Sequence, residues 1–171
     1  MKKLSLLLVT LIFSACATLP SKDVPKSFNT ESNNGMVIAA ISIENEKPLF
    51  NSYILTYRGP KNGYIRINPE QTIKMKFHPD FFDQNKAVYY FSITGTPGNY
   101  KFTELGLFRN TGYVQSTRSA NIDFDFEIEK GKVKYVGEIY FNYKKQLILL
   151  NDEKERDIPK LKSLFPNLPI E

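Results

Sequence analysis

The sequence predicts an all-β protein, an antiparallel two-sheet β-sandwich with one short C-terminal helix. Three observations carry this expectation. The 171-residue chain holds 10 Tyr and 13 Phe but no Trp, and with its many Ile, Val and Thr residues that composition favours strands. Short apolar runs are separated by turns containing Gly, Pro and Asn, without the strand–helix alternation that builds parallel sheets. From Asn121 to Asn142, apolar and polar residues alternate, the period of a strand with one covered face.

Met36 to Ile43 is an apolar run ending at Glu44, the pattern of a buried strand. Phe50 to Tyr57 reads as a second strand, closed by Arg58-Gly59-Pro60, and Tyr64 to Ile67 as a short third that stops at Pro69. Ile73, Met75 and Phe77 alternate with Lys74 and Lys76, which predicts a half-exposed strand. Ala87 to Thr94 breaks at Thr96-Pro97-Gly98-Asn99. Pro presets φ and Gly takes the positive φ of a type II turn there, so Tyr100 to Leu107 is expected to run back as a hairpin.

Ile122, Phe124, Phe126 and Ile128 alternate with Asp123, Asp125, Glu127 and Glu129. Beyond Lys130-Gly131, the residues Val133, Tyr135, Gly137, Ile139 and Phe141 share one phase. A two-residue loop at Lys130-Gly131 would set apolar residues or glycine opposite each other on one face. On the other face it would set Glu129 against Lys132 and Glu127 against Lys134. A one-residue slip destroys that match, so the pattern predicts a hairpin, with Gly137 making room for Phe124 and marking a bulge. Gln146 to Leu150 reads as the last strand. Asp157 then caps a short helix with Pro159 in its first turn, Leu161, Leu164 and Phe165 on one face, and Pro166 at its end.

Ahead of these elements lies a different kind of sequence. Lys2 and Lys3 precede a short apolar run, Leu4 to Phe13, and Phe13-Ser14-Ala15 leads to Cys16, the single cysteine. About ten apolar residues are too few for a spanning helix, which needs roughly 20, and the flanks are those of a secretory signal. This leader resembles those of bacterial lipoproteins. The resemblance implies cleavage before Cys16 and attachment of acyl chains to it, and Ala17 rather than Asp at the next position implies the outer membrane. The competing reading is an ordinary cleaved signal with an unrelated cysteine. Two or more acyl chains would anchor stably where one would not. The expected organisation is a signal peptide over 1–15, a lipidated Cys16 and flexible tether over 16–34, and the sandwich domain over 35–171.

Without the leader the chain has 21 basic and 18 acidic residues, so the net charge falls from +5 to +3. That mild, dispersed balance suits a domain near anionic lipid and excludes a nucleic-acid footprint. With Cys16 acylated, no disulfide is expected. One Cys and one His, His78, cannot make a zinc site, and no cofactor or metal is expected.

A second resemblance covers roughly residues 35–165. Thr96-Pro97-Gly98-Asn99-Tyr100 and Gly131-Lys132-Val133-Lys134-Tyr135-Val136-Gly137 are similar to motifs in small bacterial lipoproteins of uncharacterised function. The resemblance implies a transthyretin-like or carbohydrate-binding-like sandwich, and it implies fold rather than activity.

Candidate chemistry is sparse. His78 stands in Phe77-His78-Pro79-Asp80, and serines such as Ser92 and Ser116 exist, but the chain has no G-x-S-x-G elbow. Asp123, Asp125 and Glu127 share a strand face about 7 Å apart, a spacing that suits a solvated, ion-paired face better than a calcium loop. Gly95, Gly98 and Gly106 lack the spacing of a phosphate-binding loop. If Tyr89, Phe91 and Ile93 face the core, Tyr90 faces out. If Tyr135, Ile139 and Phe141 do, Tyr140 faces out. Exposed tyrosines of this kind could stack on sugars or anchor a protein, as could Tyr53 and Tyr57, and a covering layer is the alternative.

The resulting expectation is a non-enzymatic envelope lipoprotein, held to the membrane through Cys16. Its sandwich offers a surface or edge strand to a protein partner. The alternative is a module binding peptidoglycan or surface glycan through Tyr90 and Tyr140. A small hydrolase using His78 or the acidic stripe is a third, less favoured reading.

Overall fold

The computed structural model describes residues 23–45, 51–68, 79–110 and 115–171. Cys16, His78 and the strand expected at Ile73, Met75 and Phe77 lie outside the described residues. Among the described residues nine strands and one helix follow one another: β1 (Gly35–Glu44), β2 (Asn51–Arg58), β3 (Gly63–Ile67), β4 (Phe81–Asp83), β5 (Lys86–Gly95), β6 (Gly98–Asn110), β7 (Gln115–Ile128), β8 (Val133–Asn142), β9 (Leu147–Asn151) and α1 (Lys154–Leu164).

The fold class is the expected one, a two-sheet sandwich with a C-terminal helix. A five-stranded sheet has the order β4-β5-β1-β8-β9 and a four-stranded sheet the order β3-β2-β6-β7. Every ladder is antiparallel except β1–β8, which is parallel. The chain alternates between sheets by hairpins: β2–β3 and β6–β7 lie in one sheet, β4–β5 and β8–β9 in the other.

Two expected hairpins are absent, and the reason is the same for both. β5 and β6 lie in different sheets, and so do β7 and β8. Lys130-Gly131 is a turn, with the Lys132 N–H donating to the Glu129 carbonyl. The expected type II turn at Thr96-Pro97 is only a bend, with Gly98, at φ +146°, already in β6. Each carries the chain across the sandwich. Two strands facing each other across a core present the same apolar phase as two strands paired side by side. The charge match at the turn is satisfied locally, since Lys132 and Lys134 both reach Glu129. Glu127 takes no part. Gly131, at φ +71°, packs so closely on Thr30 that a Cβ would lie 2.4 Å from its carbonyl oxygen.

β1 is buried on both faces. Val37, Ala39, Ile41 and Ile43 point between the sheets, with Tyr89 and Phe91 of β5 and Tyr53 and Leu55 of β2. Met36, Ile38 and Ala40 point outward, under Leu161 and Phe165 of the helix region, Leu168, Ile170 and Val24. Phe28 packs against the same layer. Val24 and Phe28, within the span 16–34 expected to be a tether, thus pack on the domain, and residues 16–22 lie outside the described residues.

In β8 the bulge foreseen at Gly137 changes which face is apolar. Ile38 opposes Tyr135 and Ala40 opposes Glu138, so β8 spends one residue more than β1. Before the bulge, Val133 and Tyr135 face the helix. After it, Ile139 and Phe141 face the other sheet. Gly137 sits at φ +110°, and a Cβ there would meet the Asn151 carbonyl oxygen at 2.9 Å. That tight neighbour, rather than the Phe124 ring, is what requires glycine.

The helix begins four residues earlier than expected, at Lys154, with Glu153 in place of Asp157 at its N-cap and making no side-chain cap bond. Asp157 is inside it and buried, and Pro159 falls beyond the first turn. Leu161 and Phe165 are buried while Leu164 is exposed.

Candidate functional site

The outer face of the five-stranded sheet becomes polar where the apolar layer under α1 ends. Register aligns Tyr90, Ala40, Glu138 and Asn151 in one row across β5, β1, β8 and β9, and Lys86, Glu44 and Asn142 in a row further along. Over the first row the helix lowers Asp157 and Arg156. Asp157 accepts hydrogen bonds from the Tyr90 hydroxyl at 2.9 Å and from the Tyr135 hydroxyl. Arg156 donates to Asp157 from Nε at 2.8 Å, to Glu138 at 2.7 Å and to Asp83 at 3.0 Å. Asn151 donates to the other Glu138 oxygen at 3.1 Å.

Both buried carboxylates are thus fully engaged. Burial, and then the Asp157 carboxylate, push the Tyr90 hydroxyl far up from its ordinary pKa. Burial and the hydrogen bond to Asp157 do the same to Tyr135. For Arg156, burial opposes the charge, but the bonds to Asp157 and Glu138 outweigh it and raise the pKa. The cluster ties the helix to three strands and holds no open nucleophile–base pair.

This arrangement corrects the expectation for Tyr90. Its side chain does leave the inter-sheet core as expected, but α1 covers it and it is 1% exposed. Tyr140 is half-buried, and its hydroxyl donates to Glu44. Glu44 also accepts from Asn142 at 2.7 Å and Asn85 at 2.8 Å. The bond from Tyr140, then that from Asn85, hold the Glu44 carboxyl below its usual range. Tyr53 is buried between the sheets, and Tyr57 packs against that core. In the acidic stripe, Lys101 of β6 bridges Asp123 and Asp125, the latter at 3.5 Å. Among the described residues no group of three or more His, Cys, Asp or Glu side chains could hold a metal.

Among the described residues, β7 and β9 are the last strands of their sheets, and they lie on the same side of the sandwich. β7 is the longest strand at 14 residues, and Gln115 to Asn121 are exposed on both faces. It carries one more residue than β6 between their pairs at Phe102 and Glu104, a bulge of the kind that twists edges. β9 is Leu147-Ile148-Leu149-Leu150-Asn151, and its three leucines are 41%, 43% and 44% exposed. Leu149 lies opposite Tyr140 in register. Between the two edges a cleft of about 140 Å³ is lined by Leu105, Leu107, Phe141 and Ile148, with Arg118 and Tyr143 at its polar margin. The apolar lettering of Gln146 to Leu150 was legible as a strand. That it lies at an edge required the topology.

No protein-family model matches the sequence, and no curated protein matches it. Among solved structures the chain is similar to a leucine-rich repeat protein from Bacteroides thetaiotaomicron, at 12% identity and a TM-score of 0.39. The match covers 64% of this chain and 14% of that protein's length. A likeness at that level has no bearing on function.

Proposed function

We propose that this chain is a non-enzymatic lipoprotein of the bacterial envelope, anchored through acyl groups on Cys16, whose sandwich binds a protein partner along its open side. The leader Lys2 to Cys16 supports the anchor. The observation that carries the binding role is the pair of edge strands, β7 and β9, flanking an apolar cleft, with Leu147, Leu149 and Leu150 exposed on one of them. Soluble proteins blunt such edges with charge, proline or cover, and contiguous exposed apolar surface marks contact sites. β9 carries none of these devices over Leu147 to Leu150. The acids buried beneath α1 are spent on holding the helix, which supports a scaffold rather than a catalyst.

The glycan reading relied on free tyrosine faces, and it loses support with Tyr90 covered and the Tyr140 hydroxyl bound to Glu44.

The test is a Leu147→Lys, Leu149→Lys double variant in the native envelope. Both side chains are exposed, so thermal unfolding should match the parent while crosslinking to a specific envelope protein is lost. Unchanged capture by the double variant overturns the assignment of this edge.

A further inference from the structure

We propose that the cleft on the open side takes the C-terminal residue of the partner chain. Its apolar side chain fills the cleft, its carboxylate sits on Arg118 and Arg109, and the residues before it pair with the free edge of β7. This inference rests on the open-side reading and names the chemistry of the partner.

Size and lining set the first requirement. A cavity near 150 Å³ accommodates a benzene-sized group, so the cleft of about 140 Å³ matches one Val, Leu, Ile or Phe side chain. Leu105, Leu107, Phe141 and Ile148 supply apolar walls.

Charge sets the second. In the β6–β7 ladder Leu107 opposes Arg118 and Arg109 opposes Ser116. The two arginines are therefore diagonal neighbours, on the face that carries Leu105 and Leu107 toward the other sheet. Arg109 donates from Nη2 to the Tyr143 hydroxyl at 3.0 Å, while its buried Nε has no hydrogen-bond partner among the described residues. Arg118 has no carboxylate partner among the described residues, and no acidic residue lines the cleft. A buried donor left unmatched is costly, and two neighbouring guanidinium groups favour a carboxylate ligand.

Geometry makes that carboxylate a terminal one. Arg118 itself lines the cleft, so the anion must lie within one residue of the apolar group. In an extended peptide the neighbouring side chains point to the opposite face, and the next on the same face is about 7 Å away. A terminal carboxylate shares its Cα with the side chain and meets both demands. The edge of β7, unpaired among the described residues, provides main-chain hydrogen bonds for the preceding residues, as in strand addition with capture of a chain terminus.

The experiment is selection of a random short-peptide library with free C-termini against the full-length chain in detergent. The expected result is enrichment of Val, Leu, Ile or Phe at the last position. Amidating a selected peptide, or substituting Arg118→Glu, should weaken binding by about tenfold or more, with circular dichroism unchanged. Enrichment that ignores the terminal residue, or no enrichment, overturns the inference. So does 3-phenylpropionate binding as tightly as the peptides, which would assign the cleft to small acids. Partner capture that depends on Leu147 and Leu149, without terminal selection, removes this inference and leaves the open-side reading standing. Loss of both removes both.

Discussion

Asp157, in the first turn of α1, accepts a hydrogen bond from the hydroxyl of Tyr90 on β5 at 2.9 Å, in a site where both residues are buried. One bond therefore joins the C-terminal helix to a strand 67 residues earlier in the chain. The Tyr135 hydroxyl and Arg156 complete the shell around the same carboxylate. The helix is held by this polar contact as well as by Leu161 and Phe165.

Removing the carboxylate takes the acceptor from the buried Tyr90 and Tyr135 hydroxyls and from Arg156 Nε, leaving Arg156 only Glu138 and Asp83. Asp157→Ala is expected to cost about 3–5 kcal/mol, the usual penalty for breaking a buried charged pair from one side. Tyr90→Phe should cost about 1.5–3 kcal/mol, as for a hydrogen bond to a charged group. Urea unfolding of the two single variants and the double variant gives the coupling energy, which should be clearly nonzero because the residues touch. Additive losses would mean that the bond contributes little.

Tyr140 and Glu44 predict a pH signature. The hydrogen bond from Tyr140 lowers the folded-state pKa of Glu44, below an unfolded value of about 4.3. The stability it contributes is present above that value and is lost as pH falls through the folded pKa. Tyr140→Phe should therefore be less stable than the parent at neutral pH. The gap should close on acidification below about pH 4. Denaturation midpoints across this range check it, and a constant gap contradicts it.

Gly137→Ala tests the bulge. At φ +110°, with the Asn151 carbonyl oxygen 2.9 Å from the added Cβ, the substitution carries both backbone strain and a clash. Destabilisation of more than about 1 kcal/mol is expected, with faster amide exchange concentrated at the β8–β9 ladder. Gly106→Ala is the control, since its Cβ would make ordinary contacts at 3.6 Å.

Cys16→Ser tests the anchor. The parent should fractionate with membranes and incorporate labelled fatty acid, and the variant should do neither, because it lacks the thiol on which the anchoring chains are assembled. Membrane retention of the variant would place the anchor elsewhere.

Strand positions were legible in the sequence, and strand partners were not. Alternation located β8 and the second half of β7, because burial of one face leaves a period of two, while β1 and β5 showed as apolar runs because both their faces are largely covered. Partnering depends on where each turn sends the chain, and Lys130-Gly131 can close a hairpin or cross a sandwich with the same letters. β4 escaped notice because Phe81-Phe82-Asp83 is too short to show a period. Tyr90 was placed on the correct face, but the cover over it comes from residues 154–165, which no pattern near Tyr90 records. Asp157 looked like a helix cap because acids favour that position, and its true partners, Tyr90 and Tyr135, lie 67 and 22 residues away. The bulge at Gly137 was readable, since an isolated glycine in a strand is a local signal. The open side was not, because an edge is defined by strands that fail to pair.

The most direct test of the central claim is site-specific photocrosslinking in cells, with the reactive group placed at Leu149 on β9, at Ser119 on β7, and at Lys162 on the helix as a control. The account predicts one defined envelope protein captured from both Leu149 and Ser119 and not from Lys162. Capture from Lys162 alone, or no defined product from either edge strand, would contradict it.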